Sequence, residues 1–242
     1  MRLAALLRRA VHVAEPQVLR RLSLRRRARD LARRSDGIAR PAVLWRLLQE
    51  YPEFLPLQRE SEILAVLELL REAGPLRLCE IGTAAGGTTF LLSRIARPGA
   101  TVITIDRTLR PGQAEALALF GGSDCRVVPL TGDSHDEQMR ERVRVAAGGP
   151  LDVLFIDGDH RYEGIAADYE LFRGLVRPGG IVAFHDIVPD SRSRGGPETG
   201  TDAGGVPRFW EEVRLRYPAS SNAFIESPTQ DACGIGVLRI AP

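Results

Sequence analysis

The chain of 242 residues contains no lysine, and all 33 of its basic side chains are arginine. That absence excludes any mechanism built on a lysine base or a lysine Schiff base. Cysteine is scarce and odd in number. Cys79, Cys125 and Cys233 are far apart, two of them in predicted strands, which excludes a disulfide framework and gives no zinc-ligand spacing. They read as small buried apolar side chains in a reducing cytoplasm. Also missing is any apolar run near the roughly 20 residues that span a bilayer. The opening MRLAALLRRAVHVAEP is interrupted by Arg8 and Arg9 and offers no cleavage site, so a signal peptide is not expected. What remains, 44% hydrophobic and 26% charged, is the composition of a globular domain, expected in the cytoplasm.

The net charge of +2 hides an asymmetry. Thirteen arginines precede position 47 against only Glu15, Asp30 and Asp36, and the remainder is net acidic. Such an arm can serve nucleic acid or an anionic membrane surface. The segment LRRLSLRRRARDLARR carries a leucine stripe at helical spacing and no aromatic side chains on which bases could stack. The favoured reading is therefore helices packed on the domain or on a second copy in a homo-oligomer. Nucleic-acid binding through the arm is the less favoured one.

Two basic helices broken near Pro16 are predicted over residues 1–36, and a third over Pro41 to Gln49. Gln58 to Ala73 has a broad apolar face and predicts an amphipathic helix. Beyond Gly74-Pro75 the pattern alternates. Strands are predicted over Arg77 to Ile81, Thr101 to Ile105, Cys125 to Leu130, Leu151 to Ile156 and Ile181 to Phe184. Between them lie helices over Gly87 to Ile95, Pro111 to Leu119, His135 to Val145 and Ile165 to Leu175. This βαβα rhythm specifies an α/β fold with a doubly wound, mainly parallel, Rossmann-like sheet and helices on both faces. A helix over Pro207 to Leu215 and strands over Ala223 to Glu226 and Gly234 to Ile240 close the chain. The division expected is a basic helical arm, 1–57, and one domain, 58–242. The stretch PDSRSRGGPETGTDAGGVP, between Asp186 and the helix predicted from Pro207, is a candidate lid or a plain surface connection.

Open parallel sheets build their sites beyond the carboxyl ends of the strands. The first strand ends in CEIGTAAGGTTF, with Glu80 ahead of Gly82, Gly86, Gly87 and Thr88. The spacing is not GxGxxG. A carboxylate within the turn suits a ligand with a positive end, such as the amino acid and sulfonium of S-adenosylmethionine, better than a pyrophosphate. Asp106, closing the second strand, is placed to accept ribose hydroxyls, and Asp133, after the third, to contact the adenine. LDVLFIDGDHRYEG then delivers Asp157, Asp159 and His160, and PGGIVAFHDI delivers His185 and Asp186. Two imidazoles and several carboxylates at neighbouring strand ends can hold a divalent cation and move a proton.

These residues resemble class I S-adenosylmethionine-dependent methyltransferases. More narrowly, ExGxxxG from Glu80, Asp106, FIDGDH, FHDI, GVPRFWEEV and GIGVL are similar to the family-24 and cephalosporin-hydroxylase-like group, a relative of metal-dependent sugar O-methyltransferases. The resemblance covers residues 58–240 and implies a seven-stranded sheet with its last strand antiparallel. It implies a cofactor site using Glu80, Gly82, Gly86, Thr88, Asp106, Asp133 and Asp157. It also implies a magnesium or manganese site at Asp157, His185 and Asp186, and His160 as general base. In the relatives the position of His185 is an acid, so His185 is expected as a ligand to a softer cation, as a support to the ligands, or as part of a metal-free site. The activity implied is O-methylation of a small-molecule hydroxyl, on a sugar, glycoside or other natural product. A nicotinamide-dependent oxidoreductase and a non-catalytic binding protein with a degenerate pocket are the competing readings.

Overall fold

A computed structural model describes residues 21–196 and 202–241. The helix predicted before Pro16 and the centre of the candidate lid, 197–201, lie outside them. The first described helix, α1, covers 21–34. It is followed by α2 (Pro41–Leu48), α3 (Glu60–Ala73), β1 (Arg77–Ile81), α4 (Gly87–Ile95), β2 (Ala100–Asp106), α5 (Gln113–Ala118), β3 (Cys125–Thr131) and α6 (Glu137–Ala147). The chain continues through β4 (Leu151–Ile156), α7 (Tyr162–Phe172), β5 (Val176–His185), α8 (Val206–Arg216), β6 (Ser221–Phe224) and β7 (Ile235–Arg239).

The strands form one sheet in the order β3-β2-β1-β4-β5-β7-β6. Neighbours from β3 to β5 are parallel, and β7 runs antiparallel to both β5 and β6. The order reverses between β1 and β4, so the crevice between their loops is where a ligand can enter. Central strands are buried on both faces and consist of β-branched and aliphatic residues, as in TVITI of β2. The polar positions and Pro129 fall on the edge strand β3, where a missing N–H costs no ladder bond.

Alternate residues of each strand feed two apolar clusters, one per face. Val102, Phe155 and Val237 pack with α2, α3 and α4, while Ile103, Leu154 and Leu238 pack with α6, α7 and α8. Ala28 and Leu31 of α1 and Leu44 and Leu48 of α2 belong to the first cluster, so this part of the basic segment is built into the core. Its arginines face outward. Arg34 pairs with Glu50 at 2.7 Å and Arg27 with Glu53, and Arg27 lies over the ring of Tyr51.

Two departures from the predicted elements bear on the site. The helix predicted from Gln58 begins at Glu60, which frees the Gln58 side chain to turn inward. The strand predicted from Ile181 begins at Val176, because a register shift between Leu151 and Val153 allows Val176 to pair with Leu151. No helix among the described residues is long and apolar enough to cross a membrane.

Candidate functional site

A cleft of about 940 Å³ opens at the carboxyl ends of the strands, with Gly82, Asp106, Asp133, Asp157, His160 and Gly205 on its walls. That volume suits a nucleotide-sized ligand. Its floor depends on Gly82, whose φ is +94°. A Cβ there would stand 1.9 Å from the carbonyl oxygen of Asp157, so only glycine lets the β1 and β4 loops meet.

Asp106 braces the turn after β1. Its Oδ2 accepts the backbone N–H groups of Thr83 at 3.1 Å and Ala84 at 3.0 Å, and its Oδ1 accepts that of Thr108. A carboxylate has about four acceptor positions, so capacity remains for a ligand hydroxyl. Asp133 is more open. It accepts the His135 N–H and faces Arg107 at 3.7 Å.

Three residues expected at the cofactor site stand behind the cleft wall. The Glu80 carboxyl is buried and does not line the cleft: Thr104 donates to it at 2.6 Å, and Thr89 donates to the same oxygen. Burial pushes its pKa up to about 8 despite the two hydroxyl donors. Thr88 is also buried and donates to Gln58. Gly86, at φ +94°, caps α4. The direct contact expected of these three is thus replaced by support of the loop.

At the other end of the cleft, β4 and β5 bring Asp157, His160, His185 and Asp186 together. Asp157 Oδ2 is held by Gln58 Nε2 at 2.7 Å, and its Oδ1 accepts from His185 Nδ1 at 3.1 Å. The same His185 nitrogen stands 3.2 Å from Asp186 Oδ2. Asp186 adopts a left-handed backbone, φ +61°, and its Oδ1 accepts the Cys233 N–H at 3.1 Å. Non-glycine residues tolerate that conformation where the surroundings fix it.

His160 approaches the two carboxylates from the cleft side. Its Nε2 lies 3.8 Å from Asp157 Oδ1 and 3.5 Å from Asp186 Oδ2, beyond good hydrogen-bond geometry. Its Nδ1 meets the carbonyl of Asp202, and its own carbonyl accepts the Gly205 N–H at 2.6 Å. The C-terminal flank of the glycine-rich segment is therefore anchored at the site.

The charges interlock. Burial would raise the Asp157 carboxyl, yet His185 and His160 draw it down to about 2. The hydrogen-bonding influence of Asp157 raises His160 to about 9, against the opposing effect of burial and with help from Asp186. His185 is pushed up as well: burial opposes the charged ring, and the aspartates outweigh it.

The metal triplet expected from the sequence was Asp157, His185 and Asp186. In the structure one ligand atom from each of Asp157, His160 and Asp186 lies within 4.8 Å of the others, and His160 takes the cleft-facing place. Ligands of one cation at about 2.0–2.2 Å stand roughly 3–4 Å apart, which matches the Nε2 distances. His185 lies inside this triplet, with its Nδ1 placed to donate to both carboxylates. Asp159 pairs with Arg161, away from the cation donors.

Sequence reasoning missed Gln58, the first residue of a predicted helix that in the structure begins only at Glu60, and Asp168, a fully buried acid of α7. Burial pushes Asp168 up to about 6, and His135 Nε2 faces it at 3.4 Å. Neither residue lies in a motif with a readable spacing.

Residues 79–187 match methyltransferase family 24, described as "Methyltransferase domain". The catechol O-methyltransferase of Mycobacterium tuberculosis is 32% identical over 116 residues, 46% of this chain and 48% of that protein. The chain spans about half the length of the curated relatives it matches. Among solved structures, cofactor-bound Rv0187 from MTB superposes with a TM-score of 0.61 at 21% identity, covering 85% of this chain and 93% of that one. The MycE methyltransferase of the mycinamycin pathway, in complex with Mg, SAH and mycinamycin VI, gives 0.52 at 15% identity, covering 73% and 48%. The family match falls on the strands that carry the cleft, β1 to β5. Residues 79–187 thus match a methyltransferase-domain family model, and the sheet has the fold of class I methyltransferases.

Proposed function

We propose that the protein is an S-adenosylmethionine-dependent O-methyltransferase acting on a hydroxyl of a small molecule, such as a sugar, glycoside or other natural product. One observation carries this reading: a single cleft joins the Gly82–Asp106–Asp133 wall to the Asp157–His160–Asp186 cluster.

Asp106 accepts the ribose hydroxyls, and Asp133 borders the adenine. The buried Glu80 carboxyl favours the positive end of the cofactor from beneath the loop. Asp157 and Asp186 would supply two hard carboxylate oxygens, donors that suit magnesium or manganese. Such a cation would lower the pKa of the acceptor hydroxyl and offset the two carboxylates. MycE, whose structure contains Mg and SAH, is the precedent for this pairing.

His160 takes the hydroxyl proton on Nε2. The oxygen attacks the methyl carbon in line, the carbon–sulfur bond breaks, and its electron pair stays on sulfur. Positioning of the two reactants supplies most of the acceleration. A base must be neutral to act, and the bare carboxylates hold His160 protonated at neutral pH. Neutralisation of Asp157 and Asp186 is therefore a condition of catalysis in this reading.

A second reading follows from the grouping of His160 with the two acids: it serves as a third ligand. Binding of manganese to His160→Ala separates the two. An unchanged affinity with lost turnover marks a base, and an affinity at least tenfold weaker marks a ligand. The proposal as a whole is tested by thermal shift with S-adenosylmethionine, S-adenosylhomocysteine and NAD. A rise in Tm with the first two alone supports it; no response to either, or a response to NAD, overturns it. Transfer of labelled methyl to a panel of glycosides and phenols then identifies the acceptor class.

A further inference from the structure

Behind the cleft, a second group of potential ligands surrounds the other nitrogen of His185. One oxygen of Glu62, one nitrogen of His185 and the sulfur of Cys233 lie within 4.8 Å of one another. They come from three distant parts of the chain: the first turn of α3, the end of β5 and the loop before β7. His185 Nδ1 is already engaged by Asp157 and Asp186, which leaves Nε2 for this group. That atom is buried and has no hydrogen-bond partner, in a side chain only 3% exposed. Buried polar atoms are rarely left so.

We infer that Glu62, His185 and Cys233 form a second cation site, suited to zinc or another thiophilic divalent ion. The donors have the right chemistry: thiolate, imidazole and carboxylate are the zinc-binding side chains. Their surroundings also fit. A ligating histidine characteristically donates its other N–H to a carboxylate, as His185 Nδ1 is placed to do toward Asp157 and Asp186. Glu62 is oriented in turn by donors, its Oε1 accepting from Gln230 and its Oε2 from the Gly234 N–H at 2.7 Å. These bonds leave the carboxylate room for one more partner.

The loop bearing Cys233 is shaped around the site. Ala232, Cys233 and Gly234 have successive φ values of +56°, +61° and +80°. Two such non-glycine residues in a row carry a conformational cost that persists only where the surroundings impose it. The N–H groups of Cys233 and Gly234 are spent on Asp186 and Glu62, one from each ligand group. Cys233 is partly exposed, so an ion can reach it. Binding replaces the thiol proton, released to solvent, with a metal–sulfur bond. The donors then close to roughly 3.5 Å, the separation around a tetrahedral zinc at about 2.3 Å from sulfur and 2.0 Å from nitrogen.

The test uses the full chain, stripped by chelation and titrated with cobalt(II). The expected result is a thiolate-to-cobalt charge-transfer band saturating at one equivalent and displaced by zinc. Cys233→Ser abolishes the band, and Glu62→Gln weakens cobalt binding at least tenfold. His160→Ala, altered only on the cleft side, keeps both. Cys233→Ala repeats the test should serine perturb the loop, and circular dichroism confirms that each variant is folded. Absence of the band at stoichiometric cobalt means that Cys233 only packs against Arg59 and His185, and overturns the inference. So does a band that survives Cys233→Ser, which assigns it to Cys79 or Cys125, or one that is lost in His160→Ala. The readout is independent of methyl transfer, so it fails or succeeds separately from the activity proposed above.

Discussion

Glu80 shows how one buried side chain can set the pH response of the whole protein. Its folded pKa, about 8, lies above the ordinary 4.5 because burial disfavours the charged form. Between those values the folded state binds more protons than the unfolded state. The contribution of Glu80 is thus fully present below the lower value and is lost as pH rises toward 8. The loss is on the order of 4 kcal/mol. Urea denaturation at pH 5.5 and pH 8 is expected to reveal it, and Glu80→Gln is expected to flatten the difference. An equal slope in the variant would assign the pH response to another group. Gly82→Ala acts sterically instead. The added methyl meets the Asp157 carbonyl, so a loss of at least 2 kcal/mol is expected, with weakened S-adenosylhomocysteine binding by calorimetry. Asp106→Ala is expected to weaken that binding roughly 10- to 100-fold, as charged hydrogen bonds to hydroxyls contribute about 1.5–3 kcal/mol each, and to lower Tm because the Thr83, Ala84 and Thr108 N–H groups lose their acceptor. The residues legible in the sequence were those at strand ends, where an apolar run stops at a polar side chain: Asp106, Asp133, Asp157, His160 and Asp186. Gln58 was not legible because its turn toward Asp157 is set by a partner distant in the chain, and Glu62 and Asp168 were not because they lie on helices whose pattern encodes only which face is apolar.

Among the elements, α1 and α2 depart furthest from their charge. Seven of the fourteen residues of α1 are arginine and α2 adds one more, yet Leu31, Leu44 and Leu48 are fully buried against the sheet face that carries Phe155. Leu31→Ala is expected to cost about 2–5 kcal/mol in urea denaturation, as core truncations do, while Arg33→Ala, on the exposed side of the same helix, is expected to cost under about 0.5 kcal/mol. Comparable losses for both would mean that charge, not burial, holds the helix in place. The strands were legible because parallel strands covered on both faces are short unbroken apolar runs. Element boundaries were less so. The start of β5 rests on a bulge in its neighbour, and the start of α3 on the turn of Gln58 toward Asp157. Both are set by partners distant in the chain, which no local pattern records.

For the whole molecule, the decisive quantity is the charge balance at the end of the cleft. Asp157 and Asp186 face two imidazoles whose protons substitute for a cation. Manganese is therefore expected to raise Tm more at pH 8 than at pH 6, since protons compete for His160 below its raised pKa of about 9. Equal shifts at both values would remove His160 from the competition. Exhaustive chelation is expected to abolish methyl transfer while leaving S-adenosylhomocysteine binding intact. The sheet order adds a constraint on how this centre is assembled. β7, near the end of the chain, is inserted between β5 and β6, and its preceding loop supplies the N–H that fixes Asp186. A ribosome delivers the strands in sequence, so β5 emerges with one edge unpaired and waits for a segment some fifty residues behind it. During that interval the acids and histidines of the cleft exist without their final restraint. An edge left open in this way is a template for pairing with another chain until β7 docks.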